Sequence, residues 1–172
     1  MPPGRDVLRL HGEPADASAP PVVLSPFLRF SSLSFSLTDD SARVVFVAAG
    51  ADRRPRAWSA PTDGSTAPVE ISQPVTPSLL VDDDLQLSHD GRMVYFRAEP
   101  DVFGDLGPEL YRVPSRGGRA PERIELDPAG FPRVLSFALS PDGKQVLHRT
   151  SRADVIELFA TRLGSGPRAR RR

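Results

Sequence analysis

The chain contains no cysteine. Disulfides and thiolate metal sites are therefore excluded, and the absence carries no information on redox compartment. It also lacks a surplus of charge: 22 Lys and Arg balance 22 Asp and Glu. That balance leaves the body of the chain without the electrostatic footprint of a nucleic-acid binder. No apolar run approaches the length of a membrane-spanning helix, so no membrane insertion is expected. The first residues, MPPGRDVLRLHGEPADAS, lack the apolar stretch of a signal peptide. No G-x-S-x-G sequence occurs, and with it goes the nucleophile elbow of serine hydrolases. What is present in quantity is proline (19) beside moderate glycine (13), a composition that suits many turns and few helices. At 172 residues the chain is long enough for one domain with a real core.

The stretch Leu85 to Ile124 shows how those turns are used. Leu85 and Leu87 alternate with Gln86 and Ser88, the period of a half-buried strand. His89-Asp90-Gly91-Arg92 supplies a glycine free to take positive φ and an aspartate able to bond its own backbone, so it reads as a turn. Met93-Val94-Tyr95-Phe96 is β-branched and aromatic, as a buried strand should be. After a polar loop from Asp101 to Pro108, Leu110 to Val113 forms a third strand that ends at Pro114. Ser115 to Ala120 turns on two glycines, and Glu122-Arg123-Ile124 is short and polar like an outer edge strand. Four strands joined by short turns in about forty residues make the meander of one propeller blade.

The unit recurs. Phe35-Ser36-Leu37-Thr38-Asp39-Asp40-Ser41 and Phe137-Ala138-Leu139-Ser140-Pro141-Asp142-Gly143 match Leu85 to Gly91, with Thr38, Ser88 and Ser140 spaced by 50 and 52 residues. Second strands follow in step at Val44-Val45-Phe46, Val94-Tyr95-Phe96 and Val146-Leu147-His148. Third strands carry one large residue at a matching place: Leu8, Trp58, Tyr111 and Phe159. Fourth strands open with Pro21-Val22, Pro68-Val69 and Pro121-Glu122. The competing reading, an ordinary all-β domain with incidental similarity, does not account for four features in one order at one period.

Ser140-Pro141-Asp142-Gly143-Lys144 followed by Val146-Leu147 resembles the SPDG signature of TolB-like, WD40-like β-propeller repeats. Glu109 to Pro114 with the following Gly117-Gly118 resembles the third strand and turn of the same family. The resemblance runs from about Asp6 to Leu163 and implies fold far more than activity. Copies depart from it: the motif proline is Asp39 in one and His89 in another, the glycine is Ser41, and a second-strand aromatic is His148.

The expected architecture is an all-β propeller arc of about three four-stranded antiparallel blades, incomplete as a ring. Residues 6–25 read as half a blade, with a third strand at 6–10, a turn from His11 to Ser18 and a fourth strand at Val22–Leu24. Residues 34–72 form a blade, Gln73–Asp84 a link, 85–125 a blade, Glu125–Leu135 a link and 136–163 a partial blade of three strands. Residues 164–172 read as a disordered basic tail. A ring needs roughly four to eight blades, so such an arc leaves apolar blade faces to be covered by partner subunits or by further blades of a longer chain. The resemblance implies a periplasmic or secreted protein if the N-terminus is truncated. The sequence alone leaves the compartment open.

Candidates for chemistry are few. Asp101, Asp105 and Glu109 share a loop whose spacing faintly suits an oxygen-ligand calcium site, but the Asp-x-Asp-x-Asp-Gly core is missing, and a solvated loop is the plainer reading. The equivalent loop of the preceding blade carries Arg53, Arg54 and Arg56. Asp82-Asp83-Asp84 offers cation ligands or simply a charged link on the rim. His11, His89 and His148 sit at unrelated repeat positions, where convergence on zinc is not expected. Arg168, Arg170, Arg171 and Arg172 offer contacts to an acidic partner or simply solubilise a terminus. Trp58, Tyr111 and Phe159 fit packing between blades better than a stacking platform. No catalytic, cofactor or metal residue is assigned. The expectation is a non-enzymatic binding or scaffold module, acting on a protein partner or by self-association through exposed blade faces. The alternative is the propeller part of a larger prolyl-oligopeptidase-like hydrolase.

Overall fold

A computed structural model describes residues 10–13, 16, 18, 20–25, 34–49, 52–73, 78–100, 107–126, 133–152 and 155–164. Among them every regular element is a strand. Phe35–Leu37 (β3), Arg43–Ala49 (β4), Pro55–Pro61 (β5) and Val69–Glu70 (β6) form one antiparallel sheet in sequence order. Leu79–Leu87 (β7), Met93–Pro100 (β8), Glu109–Pro114 (β9) and Glu122–Arg123 (β10) form the next. Arg133–Leu139 (β11), Gln145–Arg152 (β12) and Val155–Arg162 (β13) form a third, and His11–Gly12 (β1) with Val22–Val23 (β2) a two-stranded remnant of a fourth. This is a partial propeller of four sheets, with no closed barrel.

The hydrogen-bond register turns the sequence repeat into a structural one. Phe35 pairs with Phe46 and Phe46 with Trp58; Leu85 pairs with Phe96 and Phe96 with Tyr111; Phe137 pairs with His148 and His148 with Phe159. The first-to-second-strand turn is the same object three times. Thr38, Ser88 and Ser140 donate their hydroxyls to Asp40, Asp90 and Asp142 at 2.5–2.6 Å. Those hydroxyls accept the N–H of Arg43, Met93 and Gln145, while the aspartates accept the N–H of Ala42, Arg92 and Lys144. Ser41, Gly91 and Gly143 all take a left-handed conformation, with φ of 53°, 65° and 66°. Glycine adopts it freely, whereas Ser41 does so at a cost. This closed network explains why the motif needs a hydroxyl residue, an aspartate two places on, and then glycine.

Alternation along each strand gives every sheet two apolar faces, and neighbours press them together. Leu24 with Leu10 and Val22 meets Val44, Phe46, Ala48 and Ala60 of the first full sheet. The opposite face of that sheet, Val45, Val47, Ala57 and Ile71, meets Leu85, Val94, Phe96, Tyr111 and Val113. Tyr95 and Leu110 on the far side of the second sheet meet Val134, Phe137 and Val146. The third-to-fourth-strand turns fit close against the sheet before: a Cβ on Gly64 would lie 2.2 Å from Val22, and one on Gly117 3.3 Å from Val69.

Several boundaries differ from expectation. His11 and Gly12 belong to a strand rather than to the turn, because β1 takes its register from Val22 and Val23. His11 therefore occupies the place of Trp58 and Tyr111, which the repeat spacing had assigned to Leu8. Residues 79–84 extend β7 rather than the link, through an irregularity between Val81 and Leu85, and β11 starts at Arg133 with a similar irregularity between Val134 and Ser136. Most of the proposed strand at 6–10, the connection 27–33, Asp101, Asp105 and the tail from Ser165 lie outside the described residues.

Candidate interaction surfaces

The three innermost strands, β3, β7 and β11, stand side by side, and Gln86 ties two of them. Its side chain donates to the Phe137 carbonyl at 2.9 Å and accepts the Leu139 N–H at 3.0 Å, the pair of bonds a neighbouring strand would make. Nothing in an alternating strand marks a glutamine for this role, and sequence reasoning passed over it.

Asp82 and Asp84 are not free ligands. Arg97 lies 3.1 Å from Asp82 and 3.0 Å from Asp84, and the same guanidinium donates to the carbonyls of Val134 and Leu135 in the next sheet. Burial raises the pKa of both carboxyls, Arg97 opposing it. The cluster thus reads as a brace between the irregular segments of β7 and β11. Glu109 is likewise engaged, accepting from the Tyr111 hydroxyl and from Arg123. Burial, followed by Glu109, drives the Tyr111 hydroxyl well above its ordinary range. Arg56 pairs with Asp52 and Glu70. Among the described residues, no three His, Asp or Glu side chains converge as a metal site, and no helix is long and apolar enough to cross a membrane.

The histidines stay apart in the structure. His89 lies on an exposed turn, 3.9 Å from Asp39 of the preceding blade. His148 is buried at the position of Phe46 and Phe96, its Nε2 3.0 Å from the Thr161 hydroxyl and its Nδ1 without a partner among the described residues. Burial lowers its pKa. Of the three periodic aromatics, Tyr111 is buried and Trp58 half-buried, but Phe159 is exposed, because among the described residues β13 has no strand on its outer side.

Two kinds of surface remain. On the turn side, a cleft of about 630 Å³ opens between the first two full blades, lined by Asp39, Asp40 and Asp90 against Arg43, Arg92 and Arg116. Asp40, Asp90 and Asp142 have lowered pKa values, chiefly through the hydroxyls of Thr38, Ser88 and Ser140 that donate to them. The second kind lies at the two ends of the arc. At one end Leu147, Ile156 and Leu158 share the outward face of the last sheet, all exposed. At the other, Phe35 and Leu37 are exposed beside the two-stranded remnant. There Leu10, Val22, Leu24 and Val44 complete a groove of about 730 Å³.

A scan against protein-family models finds no match, and a search of curated proteins finds none. Solved structures do match. One is a protein assigned as TolB from Agrobacterium tumefaciens, at TM-score 0.57 and 17% identity, over 83% of this chain and 46% of that one. TolB from Acinetobacter baumannii matches at TM-score 0.57 and 16% identity, over 91% of this chain and 35% of that one. The chain thus spans less than half the length of either structure. Repeated turn, register and sheet-on-sheet packing agree with these matches: the chain has a TolB-like β-propeller fold.

Proposed function

We propose that the chain is a non-enzymatic protein-interaction module, a rigid arc of blades that makes its contacts through the two open ends. The observation that carries this reading is where the large exposed apolar side chains gather. Phe35, Leu37 and Val23 lie at one end, and Leu147, Ile156 and Leu158 on the outward face of the last sheet at the other. Inside the arc Leu85 and Phe137, the equivalents of Phe35, and Val45 and Tyr95, the equivalents of Leu147, are buried. Contiguous apolar patches of several hundred Å² mark association surfaces on soluble proteins. Sheets that hold one another by face packing and by Gln86 and Arg97 supply the rigidity a scaffold needs.

The test uses Ile156→Asp together with Leu158→Asp, both at exposed positions, so the fold should tolerate them. Light scattering should show concentration-dependent association of the parent chain that the double variant loses, with an unchanged melting temperature. A parent chain that stays monomeric at every concentration overturns the reading of the last sheet as a contact surface.

A further inference from the structure

We infer that the groove between β1 and β3 is an acceptor for an antiparallel β-hairpin of the first-and-second-strand type, presented by another propeller polypeptide. This rests on the interaction-module reading and names the partner of one of its two ends.

The repeat supplies the comparison. Phe35, Leu85 and Phe137 hold one structural position, as first-strand partners of Phe46, Phe96 and His148. Leu85 and Phe137 are each 7% exposed, whereas Phe35 is 57% exposed and Leu37, two residues on, 52%. Leu85 packs in a core that includes Val45 and Val47 on β4; Phe137 packs in one that includes Tyr95 on β8. In both cases the preceding blade brings its inner strands over the position. The blade preceding β3 has only β1 and β2 among the described residues, and by register these are third and fourth strands: His11–Val23 corresponds to Trp58–Glu70 and Tyr111–Arg123. The groove lies where the first and second strands of that blade belong. It is continuous with the packed interface that Leu24 and Leu10 already make with Val44 and Phe46.

The wall of the groove fits the same occupant. Among the described residues β1 pairs only with β2, so its other edge offers unpaired N–H and C=O groups, the basis of recognition by strand addition. In the intact blades that edge of the third strand is taken by the second, with Phe46 opposite Trp58 and Phe96 opposite Tyr111. A docked second strand would set its own large residue opposite His11. The first strand would cross Phe35 and Leu37, where a residue placed like Gln86 finds the Phe35 carbonyl and the Leu37 N–H in the positions of Phe137 and Leu139.

The probe is a synthetic peptide with the sequence of residues 85–98, LQLSHDGRMVYFRA, which includes the turn and the Gln86 and Tyr95 contacts that cover Phe137. Added to the full chain, it should bind saturably and raise the melting temperature by about 5–10 °C at a large excess over its Kd. Phe35→Asp with Leu37→Asp should weaken binding at least about tenfold while leaving the melting temperature of the free chain within about 2 °C, since both positions are exposed. A peptide with proline at both Tyr95 and Phe96 should fail, because adjacent N–H groups point to opposite strand edges and one of the two must face β1. Four results would each overturn the proposal: no binding of the parent peptide, binding indifferent to the Phe35 and Leu37 changes, a large loss of free-chain stability from those changes (a groove already filled by the chain itself), or self-association of the parent chain abolished by them (a second copy in the groove). The Ile156 and Leu158 variants read the other end of the arc, so either reading can fail without the other.

Discussion

Replacing His148 by phenylalanine should stabilise the protein and remove part of its sensitivity to acid. His148 stands where the other two blades place Phe46 and Phe96, and all three side chains are buried. Its Nε2 has the Thr161 hydroxyl at 3.0 Å, but its Nδ1 is buried with no partner among the described residues. A buried polar atom left unpaired costs about 1–3 kcal/mol, and a made hydrogen bond returns about 1 kcal/mol. Phenylalanine keeps the stacking on Phe159, at a 5.6 Å ring separation, and loses only the bond to Thr161. The net gain should be about 0–2 kcal/mol at pH 7.5, or up to about 8 °C in melting temperature for a chain of this size. Thr161→Val adds to it, since the equivalent residues are Ala60 and Val113. The pH dependence has a definite sign. Burial depresses the pKa of His148, so the unfolded chain takes up the proton first and stability is lost as pH falls through about 6.5 towards the folded value. The gap between parent and variant should therefore widen between pH 7.5 and 5.5. Urea unfolding at both pH values measures it. Equal stability at pH 7.5 together with a parallel pH dependence would refute the assignment of an unpaired imidazole in the core.

Three other outcomes are expected. Ser41→Gly should stabilise by about 0.5–1 kcal/mol in thermal unfolding, because Ser41 holds φ 53° where the other two turns use glycine. Asp40, Asp90 and Asp142 have lowered pKa values, so their contribution is present above the unfolded value near 3.8 and is lost as pH falls below it; Asp→Asn at all three should lower the stability at neutral pH and flatten its fall on the acid side, read by urea unfolding across that range. Arg97→Met should cost about 2 kcal/mol in urea unfolding, a figure held below that of a fully buried pair because Asp82 and Asp84 are partly exposed.

What the sequence disclosed, it disclosed through local chemistry. The hydroxyl–x–Asp–Gly turn is closed by residues within a few positions of one another, so its motif survives even where Ser41 replaces glycine. Continuous β-branched and aromatic runs, such as Val94 to Phe96, could be read directly. Failures came where a partner far along the chain sets the answer. His11 is in a strand because Val23 lies opposite, and a two-residue pairing leaves no periodicity to detect. Three consecutive aspartates hid the start of β7, whose irregular course is compensated by Arg97 on the next strand. Gln86 acts across to β11, more than fifty residues away. His148 was visible as a departure from an aromatic position, and burial follows from that position. The exposure of Phe159 follows instead from its place on the last strand.

The central claim is that successive repeats are separate sheets packed face to face in one fixed register. Three glycines report on it directly, because each faces a side chain of the preceding sheet: Gly64 faces Val22, Gly91 faces Thr38 and Gly117 faces Val69 and Ile71. A carbon-edited NOESY spectrum of the labelled chain should show strong cross-peaks from the α-protons of all three glycines to the methyl groups of those partners. Their joint absence, with the glycine α-protons seen instead against residues of their own sheet or of a non-adjacent one, would contradict the account.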